Sequence, residues 1–415
     1  MGTIRAIAKI PTKFNHFLLE RKKRVFYFVF CSFLIAFLFT CVMAWHHISR
    51  PTIAYYDIDG WGHVISGMIQ SGKSWSLLPE SGTLKRGWFV PLLYGLSYCI
   101  FAVPTAVQIV NALLMAASVA ILIVFSSRFH KNPLMGCAIG FIWVLWPPFA
   151  HYYGYYYSEA VCGICFVALW TLLELLFLKR RKSMAWLVGM ALAMAVQIRP
   201  ASIVLAITFF FCCLTIWRAP LMNLLPVIVL SFLFFYAPLP LFNYAQSGKF
   251  IPLTVQGGYV LFYGTFIPGD DAFQYYKSLP ESKKIEAGAD DMTPIERDDY
   301  FKKLALAQIM ENPLGQARLM GKKMLRFWYN IKPHRWLPTT KTLIIMTPLL
   351  LLAAIGLFFR RDNHAIQIAA FMVIGTWFSY GIIHSGIRYH FHIFPMFLFL
   401  SGCGAHELLA RFGKL

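Results

Sequence analysis

Long apolar blocks alternate with short polar and basic stretches along the 415 residues of the chain. A helix that crosses a bilayer needs about 20 mainly apolar residues, so these blocks predict membrane-spanning helices. The chain has no internal repeat and no low-complexity segment. The pattern predicts an all-α integral membrane protein with about ten transmembrane helices. They are expected over residues 25–45, 105–126, 133–149, 159–178, 184–198, 201–217, 221–242, 341–358, 365–383 and 391–410.

Basic residues indicate the orientation of these helices. With ten spans, the basic runs at 21–24 and 179–182 and the pair Arg360 and Arg361 all fall on one side. Short cytoplasmic loops carry the excess of lysine and arginine, so both termini are expected in the cytoplasm. Residues 88–102 are short for a crossing and would invert this pattern, so they predict a juxtamembrane or re-entrant helix. The first apolar block is long and lacks a small-residue cleavage site, which indicates an uncleaved span.

The composition agrees with a membrane protein. Hydrophobic residues make up 58% of the chain and charged residues 13%, whereas soluble domains have about 25% charged residues. The net charge of +20 does not indicate nucleic-acid binding, because no zinc-finger, RRM-like or homeodomain-like pattern occurs. The cysteines lie in or beside apolar blocks, which excludes a disulfide framework for the polar loops. Cys162 and Cys165 are interpreted as helix-packing residues rather than a redox pair.

Two polar regions remain on the predicted non-cytoplasmic side: residues 46–104, the first loop, and residues 243–340, the large loop. Thr293 to Glu296 form an amino-cap signature, and helices are predicted over 294–310 and 313–328. The chain therefore divides into an N-terminal seven-span module over 1–242 that includes the first loop, the large loop, and three C-terminal spans over 341–415.

Two carboxylates in the first loop are the leading candidates for chemistry. Asp57 and Asp59 lie beyond the first span and are flanked by tyrosines, Gly60, Trp61 and His63. Paired carboxylates can supply a general base or ligate a divalent cation. The same string is also typical of a solvated Asp-Gly turn, and spacing alone leaves both interpretations open.

At these residues the chain resembles the GT-C superfamily of membrane glycosyltransferases. It is most similar to the bacterial branch related to protein O-mannosyltransferases and to the aminoarabinose transferase of lipid A. Members place two acidic residues after the first span, then a glycine, then a Pro-Leu-Tyr stretch; Trp61 stands where they have tyrosine. Similar strings follow in the family's order: Asp57 with Asp59, Gly72, residues 91–94, residues 157–159, residues 197–200, residues 243–253, residues 311–313 with 323–328, and residues 388–395.

The resemblance implies transfer of a sugar from a polyprenyl-phosphate or polyprenyl-diphosphate donor to a hydroxyl of a glycan, lipid or protein. Asp57 is then expected to be the base, with Asp59 and Glu159 as further catalytic carboxylates. Planar guanidinium groups suit phosphate oxygens, so Arg388 ranks first for the donor phosphate. The other phosphate candidates are Lys85, Arg86, Arg199 and Arg326. The sugar and acceptor candidates are Trp61, His63, Tyr156, Tyr157, Tyr389 and His390. The resemblance specifies no cofactor, and a Mg²⁺ or Mn²⁺ ion is left open.

Several of these residues have a structural alternative. Arg199 could snorkel from a helix end and Glu159 could be a favourable helix-start charge. His63 and His390 are more typical of hydrogen-bonded structural histidines, because no pair has metal-site spacing. The aromatic run 151–157 fits a membrane-interface belt or a sugar site. Lys322 with Lys323 fits anionic headgroups better than a donor.

Two rival functions also remain: a transporter or flippase of a lipid-linked sugar, and a non-catalytic scaffold of envelope assembly. A transporter would need ionisable residues near the middle of the bilayer, and Glu174 is the only acid well inside a predicted span. The family resemblance favours a bacterial inner membrane, with the active site on the periplasmic side.

Overall fold

The computed structural model describes residues 22–48, 89–101, 103–130, 132–146, 149, 153, 158–266, 272–329, 339–383 and 387–412. These residues form helices and connecting turns, with no strand among them. In chain order the helices are α1 (Lys22–Ile48), α2 (Phe89–Tyr98), α3 (Val103–Phe129), α4 (Pro133–Leu145), α5 (Glu159–Lys179), α6 (Lys182–Ile198), α7 (Ile203–Leu214), α8 (Leu225–Tyr236), α9 (Pro238–Ser247), α10 (Gly257–Gly264), α11 (Ala272–Lys277), α12 (Ser282–Ala287), α13 (Pro294–Glu311), α14 (Pro313–Trp328), α15 (Thr340–Arg360), α16 (His364–Ile383) and α17 (Phe394–Phe412).

Six helical stretches in this part of the chain are long and apolar enough to cross a membrane. The all-helical membrane architecture is therefore confirmed at this level, whereas the count of ten spans stays a prediction. Three further apolar helices, α4, α6 and α7, have at most 17 residues, which is short for a straight crossing of about 20 residues. The six stretches are Val25–Trp45, Thr105–Arg128, Glu159–Lys179, Arg218–Ala245, Thr340–Arg360 and Tyr389–Phe412.

The main core lies between these helices. It is built from apolar side chains of α1 to α8 and α14 to α17, with aromatic pairs between helices such as Trp170 with Phe399. The helices α15 and α17 approach most closely where glycines face the partner backbone. A Cβ built on Gly404 would lie 1.8 Å from the Leu352 carbonyl oxygen, and one on Gly356 would lie 2.5 Å from that of Leu400. Only glycine allows this separation, so the crossing depends on these two residues.

A second, smaller core lies in the large loop. It contains Phe262, Tyr263, Tyr276 and Phe301 and joins α10 to α13. The helix α13 begins with a complete capping box between Thr293 and Glu296, as the sequence predicted. The predicted helices over 294–310 and 313–328 correspond to α13 and α14 and are confirmed.

Two other sequence predictions can be checked. Residues 89–98 form a helix of 10 residues, which agrees with a helix shorter than a full crossing; its position relative to a bilayer stays a prediction. The nine cysteines are all free thiols in the structure. Cys162 is buried between helices, and the Cys165 thiol lies 3.6 Å from the Ala191 carbonyl oxygen, as expected of packing residues.

Candidate functional site

A buried ion pair joins the start of α5 to the end of α6. The Arg199 guanidinium donates through Nη2 to Glu159 Oε1 and through Nε to Ser158 Oγ at 2.9 Å. The side chains of Glu159 and Arg199 are 1% and 11% exposed. Glu159 Oε2 is also buried, and it has no hydrogen-bond partner among the described residues. One carboxylate oxygen therefore remains for a ligand or water.

The local sequence explains where these two residues lie. Glu159 is the first residue of α5, where the helix dipole favours a negative charge. Arg199 directly follows α6 and precedes Pro200, which prevents α6 from continuing in a regular way. The guanidinium turns inward to Glu159, so the interpretation that Arg199 snorkels into the interface is wrong. Glu159 matches the helix-start interpretation and in addition has a cationic partner.

Aromatic rings lie next to Arg199. The guanidinium carbon lies 5.4 Å from the centre of the Tyr389 ring and 6.0 Å from that of Tyr380. The two tyrosine rings stack on each other with centroids 4.7 Å apart. Cations are attracted to ring faces at this range, so both tyrosines stabilise the guanidinium and fix its position.

Tyr389 belongs to a 3₁₀ segment over Ile387–Ile393 that precedes α17. In this segment, His390 Nδ1 lies 2.9 Å from the Phe327 carbonyl oxygen and must carry the proton of that bond. The His390 ring packs against Phe149 and Trp328. These contacts are those of a buried structural histidine, which is the alternative that the sequence favoured.

The helix α14 brings a group of three buried cations to the same region. Lys322, Lys323 and Arg326 are 7%, 5% and 9% exposed. Their helix packs against α16, where Trp377 Nε1 donates to the Met324 carbonyl oxygen at 2.9 Å, and it reaches the Ile387–Ile393 segment through Phe327. Burial lowers the pKa of Lys323 to about 8 and also lowers that of Lys322. The pair is thus less exposed than the headgroup interpretation expects, and that interpretation stays a prediction.

A third group of polar side chains joins α2 to α3 through hydrogen bonds. Tyr94 donates its hydroxyl to Asn111 at 2.5 Å, and Asn111 Nδ2 donates to the Tyr153 carbonyl oxygen at 2.9 Å. The Tyr153 hydroxyl donates to the Val144 carbonyl oxygen at 2.8 Å. Tyr94 ends the Pro-Leu-Leu-Tyr string of the family resemblance, and its role here is to fasten α2 to α3.

The structure thus brings five of the predicted site residues to one end of the helix bundle: Glu159, Arg199, Arg326, Tyr389 and His390. Arg388 lies in the same 3₁₀ segment, but its side chain is outside the described part of the chain. The remaining candidates also lie outside the described residues: Asp57, Asp59, Trp61, His63, Lys85, Arg86, Tyr156 and Tyr157.

Three residues of the site were missed in the sequence. Ser158 and His392 lie inside strings that carry the family resemblance, close in sequence to Glu159 and to Tyr389. This closeness in sequence could have identified them as site residues. Tyr380 lies in an apolar helix without any motif. His392 packs on Phe166 and Tyr380, and neither of its ring nitrogens has a hydrogen-bond partner among the described residues.

Among the residues that the structure describes, no group of three or more His, Cys, Asp or Glu residues is arranged to hold a metal ion.

Neither a protein-family model nor a curated relative matches the sequence. Among solved structures, the chain is similar to the oligosaccharyltransferase of Archaeoglobus fulgidus in its apo form, with a TM-score of 0.54 and 12% identity. The match covers 93% of this chain and 51% of that one. It is also similar to ArnT from Cupriavidus metallidurans bound to undecaprenyl phosphate, with a TM-score of 0.44, 10% identity and coverages of 87% and 77%.

The likeness to the archaeal oligosaccharyltransferase shows that the chain shares its fold with part of that protein. The chain spans about half the length of that protein. At this identity the likeness describes the fold, and activity has to be argued from the site.

Proposed function

We propose that the chain is a membrane glycosyltransferase that transfers a sugar from a polyprenyl-phosphate or polyprenyl-diphosphate donor to a hydroxyl group. The acceptor would be a glycan, lipid or protein on the non-cytoplasmic side, in a bacterial inner membrane. The observation that carries this proposal is the concentration of buried charge at one end of the bundle. There Arg199 of the ion pair contacts Tyr389 of the Ile387–Ile393 segment, and α14, which carries the three cations, contacts His390 of the same segment through Phe327.

A lipid-linked donor explains why cations would be kept there. Cations that lie close together on one helix repel one another. A phosphate at a bilayer surface relieves that repulsion and accepts several charge-assisted hydrogen bonds. Arg326, Lys322 and Lys323 on α14 are proposed to hold the phosphate, together with Arg388. Arg199 is held by Glu159 and is proposed to position the Tyr389 ring and the 3₁₀ segment beside the donor.

The proposed reaction is a single displacement. The Asp57 carboxylate accepts the proton of the acceptor hydroxyl, and that oxygen forms a bond to the anomeric carbon of the donor sugar. The bond from this carbon to the phosphate oxygen breaks, and its electron pair leaves with the lipid phosphate. The cations neutralise the charge that develops on the phosphate. The configuration at the anomeric carbon is inverted, and no redox partner is needed.

Sugar transfer from defined donors tests the proposal. Purified chain in nanodiscs is incubated with radiolabelled polyprenyl-phosphate and polyprenyl-diphosphate sugars and with membrane extract as acceptor. Wild type should incorporate label from at least one donor. Asp57→Asn should lose at least about 100-fold of this activity, the usual size of a general-base contribution. Asp299→Asn, a carboxylate exposed on α13, is the matched control and should keep it.

The role of the α14 cations has a separate readout. Removing a charge that holds the donor in the ground state and the transition state raises the donor KM more than it lowers kcat. Arg326→Gln should raise the donor KM at least about 10-fold, which corresponds to the free energy of one charge-assisted hydrogen bond.

A wild-type chain that incorporates no sugar from any donor would contradict the proposed transferase activity. Flipping of the lipid-linked sugar in Asp57→Asn liposomes would then favour the transporter.

A further inference from the structure

A cleft opens in the large loop where the first turns of α10 and α13 lie side by side. Its walls include Gln256, Tyr259, Met292, Arg297 and Asp298, and its volume is about 370 Å³. Pockets that bind small molecules span about 300–1,000 Å³. The cleft belongs to the small core of the large loop, and none of its lining residues is among the residues proposed above for the donor.

The walls of the cleft are held in place by contacts within the loop. Asp298 Oδ1 accepts hydrogen bonds from the backbone nitrogens of Gly258 at 2.8 Å and Tyr259 at 3.3 Å. Arg297 donates through Nη2 to Glu286 at 2.6 Å. The Tyr259 ring packs edge to face against Phe301, with the centroids 4.9 Å apart. Asp298, Arg297 and Tyr259 are therefore held in position before any ligand arrives, which lowers the entropic cost of binding.

Several polar atoms of these walls are not used within the protein. The Gln256 amide, the second Asp298 carboxylate oxygen, and Nε and Nη1 of Arg297 make no hydrogen bond to a described residue. Together they offer donors from the amide and guanidinium and acceptors from the amide and carboxylate. A ligand that matches them must present several groups that both donate and accept.

Charge and apolar surface narrow the class of ligand further. Arg297 and Lys277 share the Glu286 carboxylate, at 2.6 and 3.5 Å, and Asp298 adds a second negative charge, which lies in the wall itself. A phosphate or carboxylate ligand would meet that carboxylate and is disfavoured. The Tyr259 ring and the Met292 side chain supply apolar surface beside the polar groups. Hydroxyl groups around a ring with apolar C–H faces match this combination.

We propose that this cleft binds a neutral hexopyranose unit. Two of its neighbouring hydroxyls would bridge Asp298 and Gln256, and one face of its ring would lie against Tyr259. That this unit belongs to the acceptor glycan rests on the proposed function. Binding of the sugar itself does not depend on transfer activity and can be measured separately.

Saturation-transfer NMR on the full chain in nanodiscs tests this site. The probes are methyl glycosides of glucose, mannose, galactose and N-acetylglucosamine. At least one should bind to wild type, and Gln256→Ala and Asp298→Asn should each weaken its binding at least about 5-fold, the cost of one hydrogen bond in a binding site. Asp298→Asn keeps the Oδ1 acceptor for the two backbone nitrogens. Asp299→Asn, next to it and exposed, should bind as wild type does.

A fourth variant separates this site from the proposed catalytic site. Asp57→Asn removes the proposed base and changes no lining residue of the cleft, so it should bind the same glycoside with unchanged affinity. Loss of binding in Asp57→Asn, with binding retained in Gln256→Ala, would overturn the proposal and place the sugar elsewhere. Failure of every probe to bind wild type would also overturn it. If Asp298→Asn does not fold, Gln256→Ala decides alone, because Gln256 makes no side-chain hydrogen bond within the described protein.

Discussion

Charged side chains at both ends of α5 meet a partner from another helix. Near its start Glu159 binds Arg199, and near its end Glu174 Oε2 lies 3.3 Å from His364 Nε2. At 1.5 Å per residue the two acids are about 22 Å apart along the helix. Each pair therefore joins α5 to a neighbour at a different depth of the bundle. Breaking a pair leaves its remaining charge in an apolar environment.

The Glu159 and Arg199 pair makes the first prediction. Arg199→Leu leaves Glu159 buried without its cation and should lower the free energy of unfolding by about 3–5 kcal/mol. The double variant Glu159→Leu with Arg199→Leu leaves no stranded charge and should lose less than that single variant. Equilibrium unfolding in mixed micelles measures the free energy of unfolding of the single variants Arg199→Leu and Glu159→Leu and of the double variant.

The matched control for this pair is Arg411→Leu. Arg411 pairs with Glu407 four residues earlier and is 50% exposed, so its loss should cost at most about 1 kcal/mol. Glu407 also retains Arg360 at 2.9 Å. If the double variant loses as much as the sum of its two single variants, Glu159 and Arg199 do not stabilise each other.

Lys323 makes a prediction about pH. Burial lowers its pKa from 10.5 to about 8, so between these values the unfolded chain binds more protons than the folded one. Stability should therefore rise with pH across this window, by roughly 3 kcal/mol at 1.36 kcal/mol per pKa unit. Below pH 8 the lysine is charged in both states and the cost of burying it is fully present.

Lys323→Met should abolish most of this rise and should be more stable than wild type at pH 7. Lys303→Met on α13, where the lysine is exposed, should keep the wild-type pH dependence. The free energy of unfolding is measured from pH 7 to pH 10.5. A wild-type stability that stays flat or falls between pH 8 and pH 10 would show that Lys323 has no lowered pKa.

The sequence predicts five of the site residues as separate candidates, without their contacts: Glu159, Arg199, Tyr389, His390 and Arg326. Their chemistry could be predicted because charges and histidines are rare in apolar blocks and therefore conspicuous. Their contacts could not, because Glu159 and Arg199 are separated by 40 residues, and the packing of α5 on α6 brings them together. Burial of Lys322 and Lys323 was not predicted either, because a basic pair on a helix normally faces water or headgroups.

At the level of elements, helix positions were predicted well where prolines, caps and charges mark the ends. The helices α13 and α14 begin at Pro294 and Pro313, directly after residues whose side chains cap them. The short helices α10, α11 and α12 were not predicted, because six to eight residues show too little periodicity. Aromatic side chains of α10 and α11 and Ile285 of α12 form the small core with α13, and that core depends on contacts between residues distant in sequence.

The crossing of α15 and α17 makes a prediction about one helix face. In α17, Gly404 faces the Leu352 carbonyl oxygen of α15, whereas a Cβ on Gly402 would meet nothing within 4 Å. Gly404→Ala must push the helices apart and should cost about 1–3 kcal/mol in unfolding free energy. Gly402→Ala makes the same chemical change on the open face and should be neutral or stabilise by up to about 1 kcal/mol. Thermal unfolding in detergent compares the two, and equal effects would rule out this close crossing.

For the whole molecule, α5 relates the candidate site to the membrane. Glu159 begins this helix, and the basic turn after it contains Arg180, Arg181 and Lys182. The two therefore lie at opposite ends of one apolar helix of 21 residues. A short basic turn is retained in the cytoplasm. The candidate site and the large loop are accordingly predicted on the other side, where a lipid-linked sugar would be used.

Labelling of single introduced cysteines in intact cells tests this orientation. Lys283→Cys in the large loop should react with a membrane-impermeant maleimide, whereas Lys182→Cys in the basic turn should react only after the cells are permeabilised. Both lysines are exposed in the structure, so a difference in reactivity reports the side of the membrane rather than burial. Wild type, with its nine native cysteines within or beside apolar helices, gives the background. The reverse pattern would invert the chain and place the buried cations of α14 on the cytoplasmic side, where the proposed donor geometry no longer holds.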